Sequence, residues 1–169
     1  MKQVDLPHID ARIRPVLAHI PDPEIPVLSI LDLGVVREAV VLEQGGSRVV
    51  MTPTYSGCPA MGAMEKSVRE HLDAAGFGPV ELHTRYAPAW TTDWIPSDAL
   101  EKLREYGIAP PVGSSMSKRS LLGLDEPEVA CPRCASKDTR MVSQFGSTAC
   151  KALYQCNQCQ EPFDYFKCL

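Results

Sequence analysis

No apolar run in this 169-residue sequence approaches the roughly 20 residues needed to cross a bilayer, so a membrane-spanning helix is excluded. The first residues, Met1-Lys2-Gln3-Val4-Asp5, lack the apolar stretch of a secretory signal. Both absences lead to the expectation of a cytoplasmic protein with reduced thiols and no membrane partner. Positive charge is also scarce: 17 Lys and Arg stand against 21 Asp and Glu, for a net charge of -4. Broad nucleic-acid binding depends on an excess of basic side chains. A nucleic-acid partner is therefore not expected. The chain has no Glu-x-x-His pair of the kind that builds a di-iron carboxylate centre, and no glycine-rich dinucleotide loop. Internal repeats and low-complexity tracts are absent as well.

Cysteine is sparse over most of the chain and dense at its end. Only Cys58 precedes Ala130, whereas Cys131, Cys134, Cys150, Cys156, Cys159 and Cys168 follow it. Two of the intervals are CxxC: Cys131-Pro132-Arg133-Cys134 and Cys156-Asn157-Gln158-Cys159. Two such knuckles, separated by strand-forming residues, present four thiolates to one tetrahedral ion. Zinc is the expected metal. An iron-sulfur cluster stays open as the alternative, because a four-cysteine shell suits either. Four sulfurs complete a tetrahedron and leave no position for water or substrate, so the site reads as structural rather than catalytic.

Cys150 and Cys168 are excluded from this shell by distance. A strand from Cys150 to Cys156 would separate them by roughly 20 Å at about 3.3 Å per residue. If the chain after Cys159 returns antiparallel, Cys168 ends near Cys150, giving a candidate second thiol pair; two independent packing cysteines are the competing reading.

Upstream, Ile9, Ile13, Leu17 and Ile20 recur at helical spacing, with Pro15 kinking the helix or delaying its start. Leu33 to Glu43 and Arg48 to Thr54 read as strands of a hairpin turned at Gly45-Gly46. Met61, Met64, Val68, Leu72 and Ala75 share a helix face that stops near Gly76. Val80 to Tyr86 alternates as a half-buried strand. Ser97, as an N-cap, and Gly107, at the C-terminal end, bracket a last helix. The expected fold is α+β, a small mixed sheet with helices on one face, followed by a small all-β zinc ribbon. Residues 1–110 are assigned to the first domain, 111–127 to a linker and 128–169 to the ribbon.

The loop Tyr55-Ser56-Gly57-Cys58-Pro59 places Cys58 at the expected N-cap of the second helix, where free amides and the helix dipole favour a thiolate. A buried, inert cysteine is the competing reading. Asp22, Glu24 and Asp32 are candidate oxygen ligands or site-shaping acids, with turn capping as the plainer role. Trp90 and Trp94, in a proline-bounded loop, form either an interaction platform or a cover for the sheet's open end. His71 and His83 have no ligand spacing.

Asp22-Pro23-Glu24-Ile25-Pro26, Ser29-Ile30, Asp32-Leu33-Gly34, Thr52 to Pro59 and the Trp90 to Trp94 segment together resemble the metal-sulfur cluster assembly domain of SufT-like and cytosolic iron-sulfur targeting proteins. The similarity runs from about Ile9 to Pro111. Phe145 to Lys151 and Glu161 to Cys168 resemble one branch only, the accessory subunits encoded with the multicomponent phenylacetyl-CoA epoxidase. The resemblance implies a non-catalytic role in aerobic phenylacetate catabolism, in maturation or assembly of the epoxidase. Its implied partners are the di-iron oxygenase subunit and the iron-sulfur, flavin-containing reductase subunit, and a homodimer is left open. By position it makes Cys58 the cluster or metal transfer thiol, and Cys131, Cys134, Cys156 and Cys159 the metal ligands of the tail. A structural subunit that stays in the mature oxygenase is the competing function.

Overall fold

Apolar residues at alternate or fourth positions decide where the first sheet and its helices meet. The computed structural model describes residues 7–112 and 127–167, which divide into two compact units at Trp90/Thr91. In the first unit, strands β1 (His8–Ile9), β2 (Val36–Val41), β3 (Ser47–Met51) and β4 (Val80–Thr84) form a mixed sheet in the order β1-β2-β3-β4. β1 and β2 are parallel, β2 and β3 antiparallel, and β3 and β4 parallel. Val36, Ala39, Val49, Met51 and Val80 are buried from this sheet. Helix α1 (Arg14–Ala18) adds Leu17, and α2 (Ala60–Ala74) adds Ala60, Met64, Val68 and Leu72, a spacing of four that keeps one helical face on the core.

Several boundaries differ from the sequence reading for identifiable reasons. Pro15 lies at the start of α1 and delays the helix, since proline fits the first turn and no later one. Ile9, expected on that helix, instead pairs with Ala39 as an edge strand. Pro59, with helical backbone angles, takes the N-cap position of α2, so Cys58 stands one residue outside it. Pro96 likewise replaces Ser97 as the N-cap of helix α3 (Ser97–Tyr106), while Gly107, at φ 95, ends it in the left-handed conformation as expected.

In the second unit, β5 (Ile108–Ala109), β6 (Thr139–Ser143), β7 (Lys151–Cys156) and β8 (Pro162–Phe166) form a sheet in the order β5-β8-β7-β6. The strand from Cys150 to Cys156 and the antiparallel return after Cys159 are present as β7 and β8. Residues 97–109, read in the sequence as part of the first domain, lie in this second unit. Ile108 and Ala109 pair in parallel with Asp164 and Tyr165, which draws β5 into the ribbon sheet. The ribbon core is small: Ala109, Val129, Cys131, Ala152, Tyr154, Cys156, Phe163 and Tyr165. Tyr154 stacks on Phe163 at 6.0 Å and meets Tyr165 edge-on at 5.5 Å.

The β2–β3 hairpin turns on Gly45 and Gly46, both at positive φ, a conformation that favours glycine. Only Gly46 is also crowded. A Cβ there would sit 2.5 Å from the Pro79 carbonyl oxygen, whereas one on Gly45 would meet nothing within 4 Å. That carbonyl accepts from Ser47 N at 3.0 Å and sets the approach of β4. Gly45→Ala should therefore cost about 1 kcal/mol, the backbone penalty alone. Gly46→Ala should cost about 2 kcal/mol more, through displacement of the β4 entry. Denaturant titration followed by Trp90 fluorescence separates the two, and equal costs would refute the close approach.

Candidate functional site

The two CxxC segments fold as near-copies of one another. In the first, Ala135 N donates to Cys131 O at 2.9 Å and Cys131 N donates to Ser136 O at 2.9 Å. In the second, Cys156 N donates to Glu161 O at 3.0 Å, and Cys159 N points to Cys156 Sγ at 3.5 Å. The residue after each second cysteine, Ala135 (φ 60) and Gln160 (φ 62), is left-handed without being glycine. Each turn thus carries a backbone strain of about 1–2 kcal/mol. Arg133 and Glu161 join the knuckles through an ion pair of 2.8 Å, and Asn157 ties the second to Asp138 through N–H and side-chain bonds of 2.9 and 2.8 Å.

This arrangement brings Cys131, Cys134, Cys156 and Cys159 together, with all four Sγ atoms within 4.8 Å of one another. Cys131 and Cys159 sulfurs are 3.7 Å apart, and those of Cys134 and Cys156 are 3.6 Å apart. A metal–sulfur bond of about 2.3 Å gives a tetrahedral edge of about 3.8 Å. The donor set therefore fits a single tetrahedral ion. A cluster would place several irons and sulfides between the thiolates and would need a wider cage. Cys131 and Cys156 are buried, while Cys134 and Cys159 are exposed.

Electrostatics leads to the same fit. The Cys159 amide favours the Cys156 thiolate and holds its pKa down at about 7. At Cys134 the Ser136 amide favours the thiolate, but burial and the three neighbouring sulfurs outweigh it and push the thiol up to about 12. Cys159 is raised too, against the pull of the Glu161 amide. Four sulfurs this close do not all ionise by themselves. A divalent cation removes the conflict by holding each as a thiolate.

The opposite end of the ribbon is closed by a polar clamp. Lys151, on β7 and buried, pairs with Asp164 on β8 at 3.1 Å. Ser147 donates to the same carboxylate at 3.3 Å. Gly146 is packed so closely that a Cβ would lie 2.8 Å from Asp164 Oδ1. These contacts account for the Phe145 to Lys151 motif in structural terms, and the pairing of Lys151 with Asp164 was not evident in the sequence. Cys150 is buried, and its Sγ lies 3.0 Å from Thr148 Oγ1. Cys168, its expected companion, lies outside the described residues.

In the first unit Cys58 is half-buried in a turn closed by Cys58 N donating to Tyr55 O at 3.2 Å, after Gly57 at φ 90. Its carbonyl accepts from Met61 N at 3.3 Å, which leads the chain into α2. Two of the candidate acids serve their own turns. Asp22, buried, accepts from Glu24 N and Ile25 N at 2.9 and 2.6 Å. Asp32 accepts from Ser29 N, and Ser29 Oγ accepts from Asp32 N, both at 3.0 Å. Among the described residues, no converging group of three or more ligand atoms includes Cys58, Asp22, Glu24 or Asp32. Trp90 is 4% exposed and donates from Nε1 to Leu33 O at 2.9 Å, which makes it a prop of the core rather than a surface platform. Trp94 is half-buried at the end of a short 3-10 turn, Thr92–Trp94. Arg37 is 3% exposed where β2 bulges between Val36 and Glu38, and its neighbours in a valine-rich strand give no sign in the sequence of a buried guanidinium.

Comparison with known proteins follows the same division of the chain. Residues 10–80 match the family model of iron-sulfur cluster assembly proteins, and residues 115–167 match the PaaD zinc beta ribbon domain. A protein of Escherichia coli (strain K12), provisionally named as a subunit of 1,2-phenylacetyl-CoA epoxidase, is 54% identical over 90% of this chain and 89% of its own length. An Fe-S protein maturation auxiliary factor of Porphyromonas gingivalis is 32% identical over 48% of this chain and 78% of its own. A solved structure of a domain of unknown function, DUF59, from Bacillus anthracis covers 53% of this chain and 85% of its own, at 25% identity and a TM-score of 0.49. With its assembly domain, its four-cysteine ribbon and a likeness to the Escherichia coli protein that spans nearly its whole length, the chain belongs to the PaaD family.

Proposed function

We propose that this chain is a cytoplasmic, non-catalytic accessory protein that assists loading of iron or an iron-sulfur cluster into a phenylacetyl-CoA epoxidase, with the oxygenase and reductase subunits as clients. One observation carries the reading: a single chain joins a domain matching iron-sulfur assembly proteins to a four-sulfur site closed to substrate. The relatives named as Fe-S maturation auxiliary factors, similar over about half of this chain, support the same assignment. In this reading Cys131, Cys134, Cys156 and Cys159 hold zinc, and the ion supplies only cross-linking, because four protein ligands leave it no open position. Iron or a cluster is cargo, and Cys58 is the thiol that handles it. Cys58 is half-buried in a turn leading into α2, so a client can reach it after modest rearrangement of the loop. Asp22, Asp32 and Trp90 hold the surrounding turns in place.

The metal assignment is tested with Cys134→Ser. Cys134 is exposed, so the change removes a ligand with little loss of packing. The purified variant should contain less than about a tenth of the wild-type zinc, and its ribbon should be cut by protease while the first unit stays intact, since a core this small does not hold alone. Undiminished zinc would overturn the ligand set, and visible charge-transfer absorption from wild-type protein purified without oxygen would replace zinc by a cluster.

The transfer role is tested with Cys58→Ala. Removing one half-buried sulfur should cost about 1 kcal/mol or less, leaving the protein folded and zinc-loaded. Co-expressed epoxidase components should then accumulate at normal levels with most of their iron or cluster missing, and chemical reconstitution should restore activity. Full loading by the variant would instead favour a structural subunit, as would co-purification with mature oxygenase in fixed stoichiometry.

A further inference from the structure

The outer strand of the ribbon, β6, is the last in its sheet, and among the described residues nothing pairs with its free edge. Edge strands are normally protected by charge, proline, a bulge or cover; β6 has the bulge. This one carries Met141, Val142 and, just beyond it, Phe145, which are 46%, 50% and 64% exposed. A register shift between Met141 and Ser143 leaves Val142 as the extra residue of a bulge, so apolar side chains face water on an unpaired edge.

The charged groups on the strand and over the Phe145 ring are Arg140 and Lys167, while the neighbouring carboxylate of Asp164 is engaged by Lys151 and Ser147. Residues 139–145 contain no acidic side chain. Arg140 bonds to Gln155, and Lys167 bonds to Gln144 O at 3.1 Å and sits 4.7 Å over the Phe145 ring. Among the described residues neither cation pairs with a carboxylate, and burial draws the pKa of Lys167 below its ordinary value, with Cys150 offsetting part of the effect. Asp138, just before the strand, is engaged by Asn157.

The size of the patch selects among occupants. Three side chains of this kind offer on the order of 300 Å², well short of the roughly 800 Å² per partner of a stable complex. A permanent dimer needs more surface than this. Moreover, residues 139–145 of a second copy would bring no carboxylate to Arg140 or Lys167. An extended segment that adds to the edge gains main-chain hydrogen bonds beyond the side-chain area, and acidic residues on it meet both cations.

We propose that the free edge of β6 receives an extended, acidic and apolar segment of a client polypeptide by strand addition, between Arg140 and Lys167. This rests on the maturation reading for the identity of the client. The binding chemistry is testable without it.

The probe is a fluorescein-labelled peptide of alternating valine and glutamate, titrated with the full zinc-loaded chain, with the valine-lysine counterpart as control. The acidic peptide should bind and the basic one should not. Met141→Glu combined with Val142→Glu should weaken binding about tenfold or more at unchanged zinc content, because both side chains are exposed. Arg140→Gln with Lys167→Gln should weaken it and remove most of its salt dependence. Equal binding of the two peptides, or no effect of Met141→Glu/Val142→Glu, overturns the proposal. So does self-association of the chain that this variant abolishes, which would give the edge to a second copy. Co-expression separates the two readings: if the wild type loads the client and the Met141→Glu/Val142→Glu variant loads it equally, client docking here is wrong and maturation stands. If the wild type itself does not affect loading, the maturation reading fails while the peptide titration still decides the chemistry of the edge.

Discussion

The convergence of four sulfurs on one point is the constraint from which the ribbon is built. Thiolates less than 4 Å apart repel, and without a cation the thiols of Cys134 and Cys159 are held up while that of Cys156 is drawn down. The turns that bring them together also place Ala135 and Gln160 in left-handed backbone at a cost. Against these penalties stands, among the described residues, a cluster of eight buried residues with three aromatic rings, together with buried Phe166. Without an ion the shell stays largely protonated and gains nothing to offset the strain of its turns, so on the proposed metal assignment the ion is part of the folding free energy rather than an addition to a finished fold.

What could be read in the sequence follows from how local each signal is. The CxxC pairs, the Gly45-Gly46 turn and the spacing of Met64, Val68 and Leu72 depend on neighbours within one turn or one strand, and the structure carries them as read. Pairings between distant segments leave no such mark. Ile9 has helical spacing with Ile13 and Leu17, yet the free edge of β2 takes it as a strand. Ile108 and Ala109 follow a helix and resemble the start of a linker, but Asp164 and Tyr165, over fifty positions later, offer a sheet edge. The pair of Lys151 and Asp164 is invisible for the same reason: each is an ordinary charged residue until β7 and β8 align.

The candidate residues of the first unit divide on physical grounds. A carboxylate that accepts two backbone amides, as Asp22 does, has spent much of its hydrogen-bonding capacity on its own turn, and so has Asp32 in its reciprocal pair with Ser29. Such groups make a loop rigid and are poor ligands until the loop opens. Trp90, bonded to the Leu33 carbonyl, stiffens the same region from the side of the core. The acids and the tryptophan thus serve as a frame. Cys58 differs from them in that its backbone closes the turn into α2, through its N–H to Tyr55 O and its carbonyl to Met61 N, while its half-buried thiol is the group that the proposed transfer role would use.

The two ends and the edge of the ribbon divide the remaining work. At one end every thiolate site is taken by the metal shell, and at the other the Lys151–Asp164 pair, Gly146 and Ser147 lock the strands in register. Both ends are thereby committed to stability. A sheet fixed at both ends holds its outermost strand at a constant twist and spacing, even though β6 buries almost none of its own side chains. Rigidity of this kind lowers the entropy cost of adding a strand, so the proposed strand addition at β6 would draw on the same metal site that is proposed to hold the ribbon together.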